Sequence, residues 1–365
     1  MDVSQSRLLD FLGREGVRFS IPAYQRLYSW SEAQCEELWL DIFRAARKGQ
    51  SHFIGTIICE PIESDSPTLD LEIIDGQQRI TSVSLVLLAL SRLLDAHPGL
   101  DCGPFASASV LKGKYLLADA PTAQGYPMKL IPSRHDRNDY AAAIEGGAPA
   151  SGPEPDSAIW ANLGFFEQKM SAPDFDLQQL IKGMQLLTAI VVEVDGAEES
   201  QAIFESINSK GMSLNVADMI RNYLLLAEDR DEQTRLFEEY WKPSQEMFSP
   251  DPGSLKMNAG IKAWLSIRLK SVKVLSANQV YGSFKKYAED IYRGDKEPIL
   301  RELRGFCLMW AESYRYHGVK KYRSGSDWAE LGAPSLTSGY ELKRADNEEY
   351  AEQLREKLRT ADSRW

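Results

Sequence analysis

The sequence has few cysteines, and they are scattered. Cys35, Cys59, Cys102 and Cys307 form no CxxC pair, so a disulfide frame and a zinc site are both excluded and the expectation is reduced thiols. The opening stretch, MDVSQSRLLDF, lacks a basic n-region and an apolar h-region. No secretory signal is visible there, and a cytoplasmic protein is expected. A bilayer-length apolar run is missing too. The longest, Ile80 to Leu90, is broken by serines and a threonine and falls short of the ~20 residues a span needs. Positive charge is in deficit, with 42 Lys and Arg against 53 Asp and Glu and a formal net charge of -11. That argues against coating nucleic acid through bulk charge, but leaves room for a local basic face. The Walker A pattern GxxxxGK[ST] is absent, so no P-loop is expected.

What remains is a chain able to build a core. It has 365 residues and is 43% hydrophobic, a length that suggests two units at ~150 residues each. Val17 to Ile21 reads as a short strand. Ser31 and Gln34 fit a capping box for a helix that carries Leu38, Ile42 and Ala45 at helical spacing. HFIGTIIC at 52–59 and Leu71 to Ile74 read as strands around a Ser/Asp/Pro turn. Ile80 to Leu94 is apolar nearly all round, so a buried helix is expected. The pattern weakens from Ala96 to Ser157, and EGGAPASGPEPDS reads as a loop. Helices follow over Ala158–Met170 and Leu177–Leu187, then the strand AIVVEV at 189–194. Beyond Glu198 the pattern is helix and loop, with a cap at Asn215 and breaks near Pro243 to Pro252. The class is α+β: a small mixed sheet with helices, followed by an α-helical domain.

The stretch IIDGQQRITS, residues 73–82, sets a polar turn between a strand and a buried helix. A helix that starts near Gln78 exposes unpaired N–H groups and the positive end of its dipole, which suits an anion. Gly76 lets the backbone turn and approach a ligand closely. Arg79 brings a forked donor matched to phosphate. Asp75 can hold Mg²⁺ or orient a water, and Gln77 and Gln78 can donate to phosphate oxygens or position an attacking water. The plainer alternative makes Asp75 a helix cap and Arg79 a surface charge.

Four blocks occur in order: IPAYQRLYSW at 21–30, HFIGTI at 52–57, IIDGQQRITS at 73–82 and FESINSKGMSLNVADMIRNYLL at 204–225. Together they resemble the N-terminal domain of the GmrSD family of modification-dependent restriction enzymes, most closely its SspE-type branch in phosphorothioate-based phage defence. The resemblance implies a ParB/sulfiredoxin-like NTPase domain over 1–225, with an inserted loop near 145–157, and a helical domain over 226–365. It implies nucleotide hydrolysis, with GTP the first choice, together with Mg²⁺. Asp75, Gln77, Gln78 and Arg79 become the catalytic set, and Asp75 the metal ligand. Gly76, Arg79, Thr81, Asn208 and Lys210 become nucleotide contacts. Relatives usually continue into a His-Asn-His nuclease domain. His52, His97, His135 and His317 lie in no such setting, so a chain cut before that domain is expected, with the nuclease domain as partner in the full-length protein; a naturally short form is the alternative. A homodimer is left open.

Two further constellations suggest DNA. In IPAYQRLYSW, Pro22, Tyr24, Gln25, Arg26, Tyr28 and Trp30 form an aromatic loop with an arginine, suited to stacking a base or enclosing a modified group if exposed. Its alternative is a set of core anchors ahead of the Ser31 helix. Residues 261–286 hold six cations and no acid, among them Lys270, Lys273, Lys285 and Lys286, and YRYHGVKKYR at 314–323 interleaves Tyr with Arg and Lys. Both fit phosphate contact with stacking, against the alternative of a solvated face. The functional expectation is an NTP-hydrolysing sensor of modified DNA. A non-catalytic reader and a ParB-like nuclease are its rivals.

Overall fold

The structure, a computed structural model, describes residues 1–22, 24–62, 68–118, 127–148, 157–194, 215–225, 230–247, 255–269 and 277–317. The chain divides into two compact units, Met1–Phe204 and Glu205–Trp365.

The first unit is built on one mixed sheet. Its strands are β1 (Asp2–Arg7), β2 (Val17–Ser20), β3 (His52–Ile62), β4 (Leu69–Asp75), β5 (Leu130–Ile131) and β6 (Leu187–Glu193), in the spatial order β1-β6-β3-β4-β2-β5. β3 runs antiparallel to β4 and parallel to β6, while β2 runs parallel to both β4 and β5. Around it pack α1 (Leu8–Leu12), α2 (Glu32–Lys48), α3 (Gln77–Ala96), α4 (Ala108–Tyr115), α5 (Arg134–Ile144), α6 (Ala158–Met170) and α7 (Leu177–Leu186). The α+β class is therefore the expected one.

Local chemistry explains most of these elements. The N-terminus of α2 is fixed by Gln34, whose Oε1 accepts from the Ser31 N–H at 2.8 Å, the glutamine arm of the expected capping box. Gly49 ends α2 in the left-handed region at φ 62°, the usual C-terminal role of glycine. α3 is buried all round from Ile80 to Leu90, as a sequence that is apolar on nearly every face requires, with Thr81, Ser82 and Ser84 the polar exceptions. Two strands escaped the sequence reading. β1 (DVSQSR) is exposed along most of its length and pairs with β6 alone, so it has no apolar face to announce it. β5 has only two residues. Helices α4 and α5 lie where the pattern weakens, and Gly146 turns the chain after α5 at φ 84°. The expected loop at 145–157 lies mostly outside the described residues.

The four cysteines are free and buried. Burial pushes the thiols of Cys59 and Cys307 up to about 12, so they stay protonated and unreactive. Among the described residues no helix is long and apolar enough to cross a membrane.

The described part of the second unit is helical, over Val216–Leu225, Arg230–Leu236, Lys242–Glu246, Leu255–Arg268, Ala277–Tyr292 and Lys296–His317. Asn215 caps the first of these: its Oδ1 accepts from the Asp218 N–H at 2.9 Å and its Nδ2 donates to Asp218 at 2.7 Å. Trp241, Trp264, Phe284 and Leu303 are buried in the core. Within it, Glu302 is 5% exposed and accepts from Trp264 Nε1 at 3.0 Å and from the Tyr292 hydroxyl. Arg268 pairs with the same carboxylate, which supplies the partner a buried charge requires.

Candidate functional site

The Asp75–Arg79 turn joins the end of β4 to the start of α3. Gly76 is the N-cap, at φ 94°. That value suits glycine, and an added Cβ would lie 3.1 Å from Ile57 and 3.3 Å from the Thr56 carbonyl. The first intrahelical bond runs from the Ile80 N–H to the Gly76 carbonyl. The N–H groups of Gln77, Gln78 and Arg79 thus point out of the first turn, and glycine offers no side chain to cap them. Asp75 stands beside this end, its side chain 27% exposed. Burial pushes its carboxyl above the usual carboxylate range. Arg79 pulls it back first, then a bond from the Gly76 N–H, then Arg26.

Two irregularities in the sheet shape the turn. β3 carries an extra residue between Phe53 and Thr56 relative to β6, and β4 carries one between Ile73 and Asp75 relative to β3. Such bulges free ladder carbonyls and re-aim side chains. Arg79 takes the first set, with Nη1 donating to the Ile54 carbonyl at 3.2 Å and Nη2 to the Thr56 carbonyl at 2.6 Å. Nη2 lies 3.5 Å from Asp75 Oδ2. Gln25 takes the second, its Nε2 donating to the Ile74 carbonyl at 3.0 Å.

The two glutamines differ. Gln78 is committed at both ends to the 24–30 loop: its Oε1 accepts from the Ser29 N–H at 2.9 Å and its Nε2 donates to the Leu27 carbonyl at 3.0 Å. Gln77 has one long bond, Nε2 to the Arg26 carbonyl at 3.4 Å. Its Oε1 is buried with no hydrogen-bond partner, and the residue is 7% exposed. A buried acceptor left unpaired is costly. Thr81 is buried one turn further into α3.

The loop 24–30 therefore lies against the turn, and this corrects the expectation of an exposed aromatic surface. Pro22, Tyr24, Gln25 and Tyr28 are buried, with Tyr24 only 1% exposed. Trp30 is half-buried and packs against the core. The outward side chains are Leu27 and Ser29, with Arg26 half-buried. Residues that the sequence reading missed pin the loop from behind. The Tyr28 hydroxyl meets Ser82 Oγ at 2.6 Å. Asn162 Nδ2, from α6, donates to the Tyr28 hydroxyl at 3.0 Å and to the Trp30 carbonyl at 2.8 Å. Asp136 Oδ2 accepts from the Tyr28 N–H at 2.8 Å. No spacing in the sequence links these positions. Gly55 was legible in principle, since a lone glycine inside a strand marks a bulge.

With this geometry in hand, a comparison with protein families is decisive. The profile described as GmrSD restriction endonuclease, N-terminal domain, matches residues 8–225, more than half the chain. The chain belongs to this family. As a GmrSD N-terminal domain it is a component of a restriction system, which acts on DNA. No curated protein matches it.

The remaining expected contacts of this GmrSD domain are less concentrated. Asn208, Lys210, Lys270 and Lys273 lie outside the described residues. Lys285 is half-buried, its ammonium 5.7 Å from the centre of the Tyr223 ring, and Lys286 is exposed, as is Lys262. With Arg268 bound to Glu302, the basic stretch is partly committed to its own fold. Of 314–323, residues 314–317 continue the helix Lys296–His317, and the rest lie outside the described residues.

Among the described residues no three His, Cys, Asp or Glu side chains cluster as metal ligands. The residues at the turn fit Mg²⁺ in another way. This ion is commonly held by one or two carboxylates together with the phosphates of a nucleotide, and Asp75 offers the carboxylate.

Proposed function

We propose that the Asp75–Arg79 turn binds a nucleoside triphosphate with Mg²⁺ and hydrolyses it, and that modified DNA regulates this turnover. The observation that carries the reading is the orphaned Oε1 of Gln77. It sits at the N-terminus of a 20-residue helix and is flanked by a carboxylate and two guanidinium side chains. Uncapped N–H groups and a helix dipole favour an anion there. Arg79 keeps a second N–H on each Nη nitrogen beyond those given to Ile54 and Thr56, so it can brace β3 and still face a phosphate. Arg26 adds positive charge on the loop side. Asp75 would hold Mg²⁺, which when bound neutralises charge on the phosphates. Gln77 Oε1 would accept a hydrogen bond from the attacking water and orient it. Water then adds to the γ-phosphorus as the β–γ bridging P–O bond breaks, releasing nucleoside diphosphate and inorganic phosphate. GTP is the nucleotide to test first. Phosphorothioate DNA is the modified ligand that the family resemblance favours, and a His-Asn-His nuclease domain is the partner such a switch would serve.

A second reading has its own support. Gln78 is wholly committed to the loop and Arg79 largely to β3, as in a turn kept only for rigidity. On that reading the domain recognises modified DNA without chemistry. Phosphate release from GTP and ATP, with and without modified DNA, separates the two. Mg²⁺-dependent release that Gln77→Met reduces at least about tenfold, the scale of one hydrogen bond made in the transition state, supports hydrolysis. No release with either nucleotide, alongside tight binding of modified DNA, supports the reader.

A further inference from the structure

The sheet edge of the site holds one residue that the proposed chemistry does not name. Gly55 sits in the β3 bulge at φ 112°, a conformation that side-chain-bearing residues rarely adopt. A Cβ built there would lie 1.9 Å from Nη1 of Arg79 and 3.0 Å from its Cζ. The guanidinium thus lies directly over the bare α-carbon. The carbonyls on either side of Gly55, those of Ile54 and Thr56, are the two that receive its N–H groups. A regular strand would commit these carbonyls to the ladder, and any side chain would fill the space. The bulge and the missing Cβ together form a socket of one shape.

We propose that Gly55 is a positioning residue: the bulge it forms in β3 is the seat that holds the Arg79 guanidinium beside Asp75 and against the first turn of α3. The consequence for turnover rests on the hydrolysis proposed above; the seat itself does not.

The test is a double-mutant cycle on the whole chain, comparing wild type, Gly55→Ala, Arg79→Ala and the double variant in GTP turnover and in urea unfolding. Such cycles detect a shared interaction as non-additivity. If the seat is real, Gly55→Ala loses turnover to about the level of Arg79→Ala, roughly tenfold or more below wild type. The double variant is then no slower than either single one. Gly55→Ala costs more stability with Arg79 present than in the Arg79→Ala background. Equal stability costs in both backgrounds overturn the seat. If the wild type shows no turnover, the hydrolysis reading fails while the stability coupling still decides the seat. If Gly55→Ala alone does not fold, a double variant that folds supports the seat; if neither folds, Arg79→Ala decides, since a seated guanidinium makes it less stable than wild type and wild-type stability overturns the seat.

Discussion

Replacing Gln78 with leucine keeps most of the side-chain volume and removes both ends of a clamp. The amide holds the Ser29 N–H at 2.9 Å and the Leu27 carbonyl at 3.0 Å. Two hydrogen bonds at a net ~0.5–1.5 kcal/mol each give a loss of about 1–3 kcal/mol. The upper end of the unpaired-group penalty does not apply, because Ser29 and Leu27 are exposed and water can reach groups the loop releases. For a unit of this size that loss lowers the unfolding midpoint by roughly 2–12 °C. The damage should be local as well. Amide hydrogen exchange over residues 24–30 should quicken by roughly five- to 150-fold, the same free energy read as an opening equilibrium. Gln77→Leu is the control within the same turn. It gives up one bond of 3.4 Å and an unpaired acceptor, so its stability should stay within about 1 kcal/mol of wild type. The measurements are thermal unfolding followed by circular dichroism, and exchange followed by mass spectrometry. A Gln78→Leu protein with the wild-type midpoint and unchanged exchange across the loop would refute the clamp and the division of labour between the glutamines.

Other consequences can be measured alongside. Burial raises the Asp75 carboxyl, so the folded state binds that proton more tightly than the unfolded chain does; the stability this gives is complete below the ordinary carboxylate pKa and is lost as pH rises through the folded value. Asp75→Asn should therefore match or exceed the wild type in urea resistance at neutral pH while losing Mg²⁺-dependent turnover, and a large loss of stability at neutral pH would contradict this. Tyr24 is 1% exposed, so Tyr24→Ala should cost about 3–5 kcal/mol through its cavity, and only Tyr24→Phe can probe recognition cleanly; a Tyr24→Ala protein of wild-type stability would show that the loop is not seated as described. Lys262→Glu with Lys286→Glu should weaken DNA binding and flatten its salt slope by ~0.9 for each phosphate no longer neutralised, whereas an unchanged slope in filter binding would mark both lysines as a solvated face.

The elements that could be read from the sequence were those with local signatures. The capping glutamine at Gln34, the buried α3, the cap at Asn215 and the Asp-Gly turn each follow from a few neighbouring residues. What stayed hidden depends on contacts across the sheet. β1 is an edge strand whose polar residues carry no alternation, and only its pairing with β6 makes it a strand. The burial of the loop was hidden because Tyr28 is held by Ser82 of α3 and Asn162 of α6, both far away in sequence. Gln77 and Gln78 look interchangeable in DGQQR. The difference between them is created by the loop at 24–30, which satisfies one amide and leaves the carbonyl oxygen of the other unpaired. The seat for Arg79 arises from a bulge whose register is set by β6, which lies more than 130 positions further along the chain.

The central claim is that the α3 N-terminus is a working nucleotide site. Its most direct test is phosphate release from GTP by the purified protein in Mg²⁺, measured for wild type, Gln77→Met and Arg79→Ala, each shown to be folded by circular dichroism. The account predicts Mg²⁺-dependent release by the wild type that falls about tenfold or more in both variants and changes when modified DNA is added. Release that is the same in all three proteins, or absent from the wild type with every nucleoside triphosphate and every DNA tried, would contradict it.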